Sequence, residues 1–103
     1  MVIIRKIENV EDYNKLVAGT CVIKVSAAWC HPCHTLSETI KNLDTKITFA
    51  ELDADDEFSE DITSNLGIRG IPVLIFFKDG QEVGRTVGAV GSDVIYNNLK
   101  NLE

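Results

Sequence analysis

Apolar residues along the chain change their period several times, and each change marks an element. Val2, Ile3 and Ile4 form a short apolar run that predicts a first strand within Met1–Ile7. Asn9, whose side chain can accept from the free N–H groups of a first helical turn, precedes Val10, Tyr13, Leu16 and Val17 at helical spacing. Gly19 and Thr20 interrupt the pattern, and Cys21-Val22-Ile23-Lys24-Val25 then reads as a β-branched strand buried over most of its surface. After Pro32, the residues Leu36, Ile40 and Leu43 fall on one stripe of an amphipathic helix, with Ser37, Lys41 and Asn42 turned outward. Ile47, Phe49 and Leu52 predict a strand within Lys46–Asp53.

The acidic residues Asp53, Asp55, Asp56 and Glu57 lead into Phe58, Ile62 and Leu66, a helical stripe stopped by Gly67. Negative charge is favoured where a helix begins, and the Gly and Glu spacing of an EF-hand calcium loop is absent, so the acidic run reads as a helix start. Pro72 to Phe77 is an unbroken apolar run suited to a central strand covered on both faces. Asp79-Gly80 is a strong hairpin signal, Glu82 to Val87 supplies the returning strand, and Val94, Ile95, Leu99 and Leu102 make a terminal helix. The order β α β α β α β β α predicts an α/β fold with a mixed sheet and helices on both faces. Early strands run parallel through right-handed crossovers and the last two antiparallel. No repeat, linker or low-complexity stretch divides the chain, so residues 1–103 read as one domain.

Charge narrows the function classes. The chain carries 16 acidic and 10 basic residues for a formal charge of −6, which repels phosphate backbones and anionic lipid, so neither nucleic acid nor membrane is expected as a partner. No run approaches the ~18 consecutive apolar residues of a membrane helix. Met1 to Asp12 has no long apolar core or small-residue cleavage site, and a cytoplasmic location is therefore expected. Three cysteines, Cys21, Cys30 and Cys33, do not make a secreted disulfide framework, which leaves thiol chemistry or a metal.

The dense cluster is Trp29-Cys30-His31-Pro32-Cys33-His34, between a buried strand and a helix. Cys30 falls at the helix start and Cys33 one turn later on the same face, close enough for a reversible disulfide. Pro32 is tolerated because a first-turn residue has no intrahelical hydrogen bond to lose. The positive end of the helix dipole favours a thiolate there by about 0.3–1 kcal/mol, up to ~2 in a partly buried setting, or roughly one pKa unit. Two rival chemistries are weaker. Cys30, Cys33 and His34 fit a c-type haem pattern, but that expects export, and Met1 is the only methionine. Zinc would have half a site, with no second ligand pair.

The segment Ala28-Trp29-Cys30-His31-Pro32-Cys33, followed by Gly67-Ile68-Arg69-Gly70-Ile71-Pro72-Val73, Lys78-Asp79-Gly80 and Val87-Gly88-Ala89, resembles the thioredoxin family over nearly the whole chain. The resemblance implies a five-stranded mixed sheet flanked by four helices and a cis peptide at Ile71-Pro72. It implies a substrate surface of Trp29, Pro32, Ile71, Pro72, Gly88 and Ala89. It implies protein-disulfide reduction, in which Cys30 attacks a substrate disulfide and Cys33 resolves the mixed disulfide. No cofactor beyond the Cys30–Cys33 couple is expected. The implied partners are oxidised proteins and a thioredoxin reductase, with the chain a monomeric electron carrier. A thioredoxin-fold binding or accessory module serving one dedicated partner is the alternative function.

Departures from the family pattern sharpen these expectations. His31 stands where most members have Gly, and an imidazolium beside Cys30 would favour the thiolate and make a weaker reductant. Six residues before Cys30 the family keeps a buried Asp with a Lys on the neighbouring strand; here the positions hold Lys24 and Glu51. The charges are exchanged, and the pair is expected beneath Cys33, with Glu51 in the proton-relay role. No proline occurs from Cys33 to Gly70, so the helix after Cys33 is expected to lack the family's kink. Cys21 reads as a packed thiol.

Overall fold

Five strands and four helices follow the predicted order in the computed structural model, which describes every residue from Met1 to Glu103. They are β1 (Ile4–Lys6), α1 (Val10–Val17), β2 (Cys21–Ser26), α2 (His31–Lys41), β3 (Phe49–Asp53), α3 (Ser59–Leu66), β4 (Val73–Lys78), β5 (Gln81–Val87) and α4 (Ser92–Leu99). A single 3-10 turn, Lys100–Leu102, closes the chain. Local signals act where expected. The Asn9 side chain accepts from the Asp12 N–H and caps α1, and Gly67 ends α3 in the left-handed region at φ 70°. Asp79 and Gly80 both have positive φ, 50° and 89°, the conformation of a tight hairpin turn.

The sheet order is β1-β3-β2-β4-β5. β3 runs parallel to β1 and β2, whereas β4 is antiparallel to β2 and β5 antiparallel to β4. The direction of β4 matters for function. Val73 pairs with Val25, so the chain enters β4 beside the end of β2 and brings Ile71-Pro72 to the edge where α2 begins.

Alternating residues of the central strands feed two separate cores. Val22, Phe49, Leu74 and Phe76 pack against Leu36 and Ile40 of α2 and Ile95 and Leu99 of α4. Ile23, Val25, Leu52 and Ile75 pack on the other face against Tyr13 of α1 and Ile62 of α3. Each fully buried aliphatic or aromatic side chain contributes about 1.5–3 kcal/mol by leaving water, so both layers stabilise the sheet.

Four local expectations need correction. β1 begins at Ile4, because Val2 is drawn into the α2–α4 core while Ile3 points to solvent at 88% exposure. β3 begins at Phe49 rather than Lys46, although Ile47 still packs against the core. The acidic run makes a turn ahead of α3, in which Asp53 Oδ1 accepts the Asp55 N–H; Glu60 and Asp61 occupy the first helical turn instead. Ser37 is half-buried and faces the sheet, for a reason that belongs to the site.

Candidate active site

β2 delivers the chain through Ala27, Ala28 and Trp29 to Cys30, which caps α2. A sulfur does here what an oxygen usually does: the Cys33 N–H donates to Cys30 Sγ at 3.3 Å. Pro32 sits in the first turn as expected, and α2 runs without interruption from His31 to Lys41. Cys30 and Cys33 form a disulfide, with their Cα atoms 5.3 Å apart. Both are recessed, at 4% and 1% exposure, with Ala27 and Ile71 packed against them, while His31 and Pro32 are exposed.

Two segments flank the disulfide. On one side the Ile71-Pro72 peptide is cis, Pro72 is buried, and the Pro72 carbonyl accepts the Gly88 N–H at 2.8 Å. Gly88 has φ 87°, a conformation that favours glycine, and the contact ties exposed Ala89 to this side. Trp29 lies 71% exposed at the opposite end of the motif, with its indole N–H donating to Asp55 Oδ2 at 2.8 Å. Asp55 is thus a site residue, although sequence reasoning places it at a helix start. No sequence signal marks it, because water can satisfy an exposed indole N–H and the contact is tertiary. The His34 ring Nε2 lies 2.7 Å from the Ala28 carbonyl, and since a carbonyl only accepts, Nε2 carries the proton.

The exchanged pair shares a cleft with Cys33. Lys24 and Glu51 are direct register partners of β2 and β3. Lys24 Nζ donates to Glu51 Oε2 and to Ser37 Oγ, both at 2.7 Å, and Ser26 Oγ donates to Glu51 Oε2 at 2.8 Å. This is why Ser37 turns inward: four residues beyond Cys33, it shares that residue's helix face. The Lys24 side chain is 2% exposed and that of Glu51 36%. Burial pushes the Glu51 carboxyl up, but the hydrogen bonds from Lys24 and Ser26, then the Lys24 and His34 charges, hold it below its ordinary 4.5. Lys24, Cys33, Ser37 and Glu51 line one cleft of about 470 Å³.

Cys21 lies elsewhere. It faces the α1–α3 core, 1% exposed, with Sγ donating to the Leu16 carbonyl at 3.4 Å, and burial pushes its thiol up to about 11. No three His, Cys, Asp or Glu side chains converge as metal ligands, and no helix is long and apolar enough to cross a membrane.

Comparison with known proteins agrees with this architecture along its length. Residues 4–101 match the Thioredoxin family model. A thioredoxin of Chlamydia caviae is 33% identical over 92 residues, 85% of this chain and 88% of its own. A thioredoxin of Sus scrofa is 39% identical over 86 residues, 77% of this chain and 76% of its own. The crystal structure of a Malassezia sympodialis thioredoxin superposes with a TM-score of 0.84 at 27% identity, covering 100% of this chain and 94% of the other. With a family match that spans all five strands and all four helices around a closed Cys30–Cys33 pair, the chain belongs to the thioredoxin family.

Proposed function

We propose that this chain is a protein-disulfide reductase that works by dithiol–disulfide exchange as an electron carrier of the cytoplasm, reduced in turn by a thioredoxin reductase. The observation that carries the reading is the Cys30–Cys33 pair, closed on itself at the first turn of α2. Once the pair is reduced, the Cys33 N–H and the positive end of α2 face the Cys30 sulfur and favour its thiolate. Trp29, Pro32, Ile71 and Ala89 offer the surface against which a substrate would dock, with buried Pro72 and the Gly88 N–H holding the Ile71 and Ala89 segments together. The Ile71 backbone is available for strand-like pairing.

The Cys30 thiolate attacks one sulfur of the substrate disulfide. That S–S bond breaks, a mixed disulfide forms, and the first substrate thiolate leaves to take a proton. Cys33 then loses its proton and attacks Cys30 Sγ, which breaks the mixed disulfide and releases the second substrate thiolate. Two electrons pass from the dithiol to the substrate, and the Cys30–Cys33 bond is restored. Holding Cys33 one turn away makes this second attack intramolecular, with an effective concentration on the order of 10⁵ M or more for well-oriented groups. Glu51, in the cleft with Cys33, is the group we assign to accept the Cys33 proton.

Reduction of insulin disulfides with dithiothreitol tests the exchange chemistry, and coupling to NADPH through a thioredoxin reductase tests the carrier role. We expect turnover in both. Turnover with dithiothreitol alone would point to a module with one dedicated redox partner; no turnover in either would overturn the proposal.

A further inference from the structure

Lys24 is the only buried charged residue in the molecule, and it lies on the floor of the cleft that contains Cys33. Ser37, whose hydroxyl accepts from the Lys24 ammonium, follows Cys33 by four residues, so their side chains are neighbours on the inner face of α2, with Cβ atoms about 5–6 Å apart. Six charged or titratable groups line this cleft together with Cys33: Lys24 from β2, Glu51 and Asp53 from β3, and His34, Glu38 and Lys41 from α2. They do not act equally. Glu38 and Lys41 pair with each other at 3.5 Å with side chains 74% and 50% exposed, so water screens both. Asp53 accepts a backbone N–H of its own turn, and His34 donates to Ala28. Within the central pair the cation is dry and the anion is half in water. A buried charge is screened far less than an exposed one, so the field at Cys33 is set by Lys24 more than by Glu51.

We propose that Lys24 is a positioning residue for the resolving step: its ammonium, fixed by Glu51 and Ser37, stabilises the Cys33 thiolate, and Glu51 on the wetter wall receives the proton. This rests on the reading of Cys33 as the resolving thiol. The buried charge under the disulfide therefore has the opposite sign to a carboxylate floor, and it lowers the cost of ionising Cys33. In the step itself, the Cys33 S–H proton passes to the Glu51 carboxylate across solvent in the cleft. The resulting thiolate attacks Cys30 Sγ, and the substrate thiolate leaves with the electron pair of the broken bond.

The test is the titration of Cys33 in the reduced Cys30→Ser variant, followed by thiolate absorbance or by alkylation rate against pH. Adding Lys24→Met is expected to raise the Cys33 midpoint by about one pH unit, as loss of a close opposite charge does, while adding Glu51→Gln lowers it by leaving the cation unbalanced. With Cys30 present, Lys24→Met then slows resolution of the mixed disulfide about threefold at neutral pH, the roughly tenfold loss of thiolate being partly offset by the greater nucleophilicity of a thiolate of higher pKa, and the slowing disappears at alkaline pH. A midpoint that Lys24→Met leaves in place or lowers overturns the proposal. If Lys24→Met does not fold, the exchange Lys24→Glu with Glu51→Lys keeps both charges compensated and puts the anion on the floor. It is expected to raise the midpoint, and an unmoved one is equally decisive. The titration needs no turnover, so a shifted midpoint in a chain that fails to reduce insulin would refute the proposed function and leave this inference standing.

Discussion

The two faces of β2 carry the same chain at the same depth and do different things. Cys21, Ile23 and Val25 point towards α1 and α3, are at most 1% exposed, and meet almost nothing but apolar side chains. Val22, Lys24 and Ser26 point towards α2, are at most 3% exposed, and pass from a packed core to a charged and hydroxylated row as the strand approaches Cys30. One face contributes stability and the other prepares a thiol for chemistry. Cysteine occurs on both sides of this divide. Cys21 at the dry end has its thiol pushed up to about 11, whereas Cys30 sits on a helix N-terminus with an N–H donated to its sulfur. Reactivity follows the surroundings of the sulfur, not the presence of a cysteine.

The largest effects should separate these thiols. Cys30→Ser is expected to abolish insulin reduction, and Cys33→Ser to lower it by about a thousandfold or more while mixed disulfides accumulate, because the intramolecular attack is lost. Cys21→Ser should leave turnover unchanged. If Cys21→Ser reduces turnover as the other two do, the division between the faces fails. Next comes stability. Ile23→Ala on the dry face removes a fully buried side chain and should cost about 2–5 kcal/mol in denaturant unfolding, with the Cys30–Cys33 potential unmoved in glutathione equilibration.

Glu51→Gln on the active face should cost a similar amount or somewhat less, about 1–3 kcal/mol, because the carboxylate is half in water but its loss leaves the dry Lys24 ammonium without a counter-charge. Its cost should also depend on pH. The folded chain holds the Glu51 carboxyl below its ordinary 4.5, so the unfolded chain binds more protons between the two values. The stability contributed by the charged form is complete above about that value and disappears as pH falls through the folded one. Wild type and Glu51→Gln should therefore converge in acid and differ at neutral pH. Unfolding curves that stay equally far apart from neutral pH into acid would mean that the ionised pair contributes nothing.

Much of this division is legible in the order of the amino acids alone. The alternation that sorts β2 into two faces is hidden inside Cys21–Ser26, a run in which Lys24 and Ser26 alone break the apolar character. A lysine in such a run demands a partner, and the resemblance to the thioredoxin family, which keeps a charged pair on neighbouring strands, points to Glu51. The cap at Asn9, the stop at Gly67 and the Asp79-Gly80 turn are readable because each depends on local backbone chemistry. Ser37 and Asp55 are not, because their roles arise from tertiary contacts. A serine beside a helical stripe reads as outward until a buried ammonium is set opposite it, and an acidic run reads as a helix start until an indole reaches one of its members. The strand ends move for a similar reason: Val2 and Ile47 are claimed by packing rather than by the sheet ladder.

The smallest expected effect compares a cation inside the fold with an imidazole outside it. Lys24 is dry and His31 is exposed, yet both stand near the same disulfide. An imidazolium beside Cys30 favours the thiolate, hence the reduced form, and so raises the potential of the couple. Replacing it by glycine should lower the potential, but by little, because water screens a surface charge. A threefold change in the exchange equilibrium corresponds to roughly 14 mV for a two-electron couple, and His31→Gly should fall in the range of about 10–20 mV in glutathione equilibration. A drop much larger than this would mean that solvent access does not rank Lys24 and His31. A potential that stays put or rises would leave Lys24 as the charge that matters, and the tuning of this dithiol would then belong entirely to the buried face of β2.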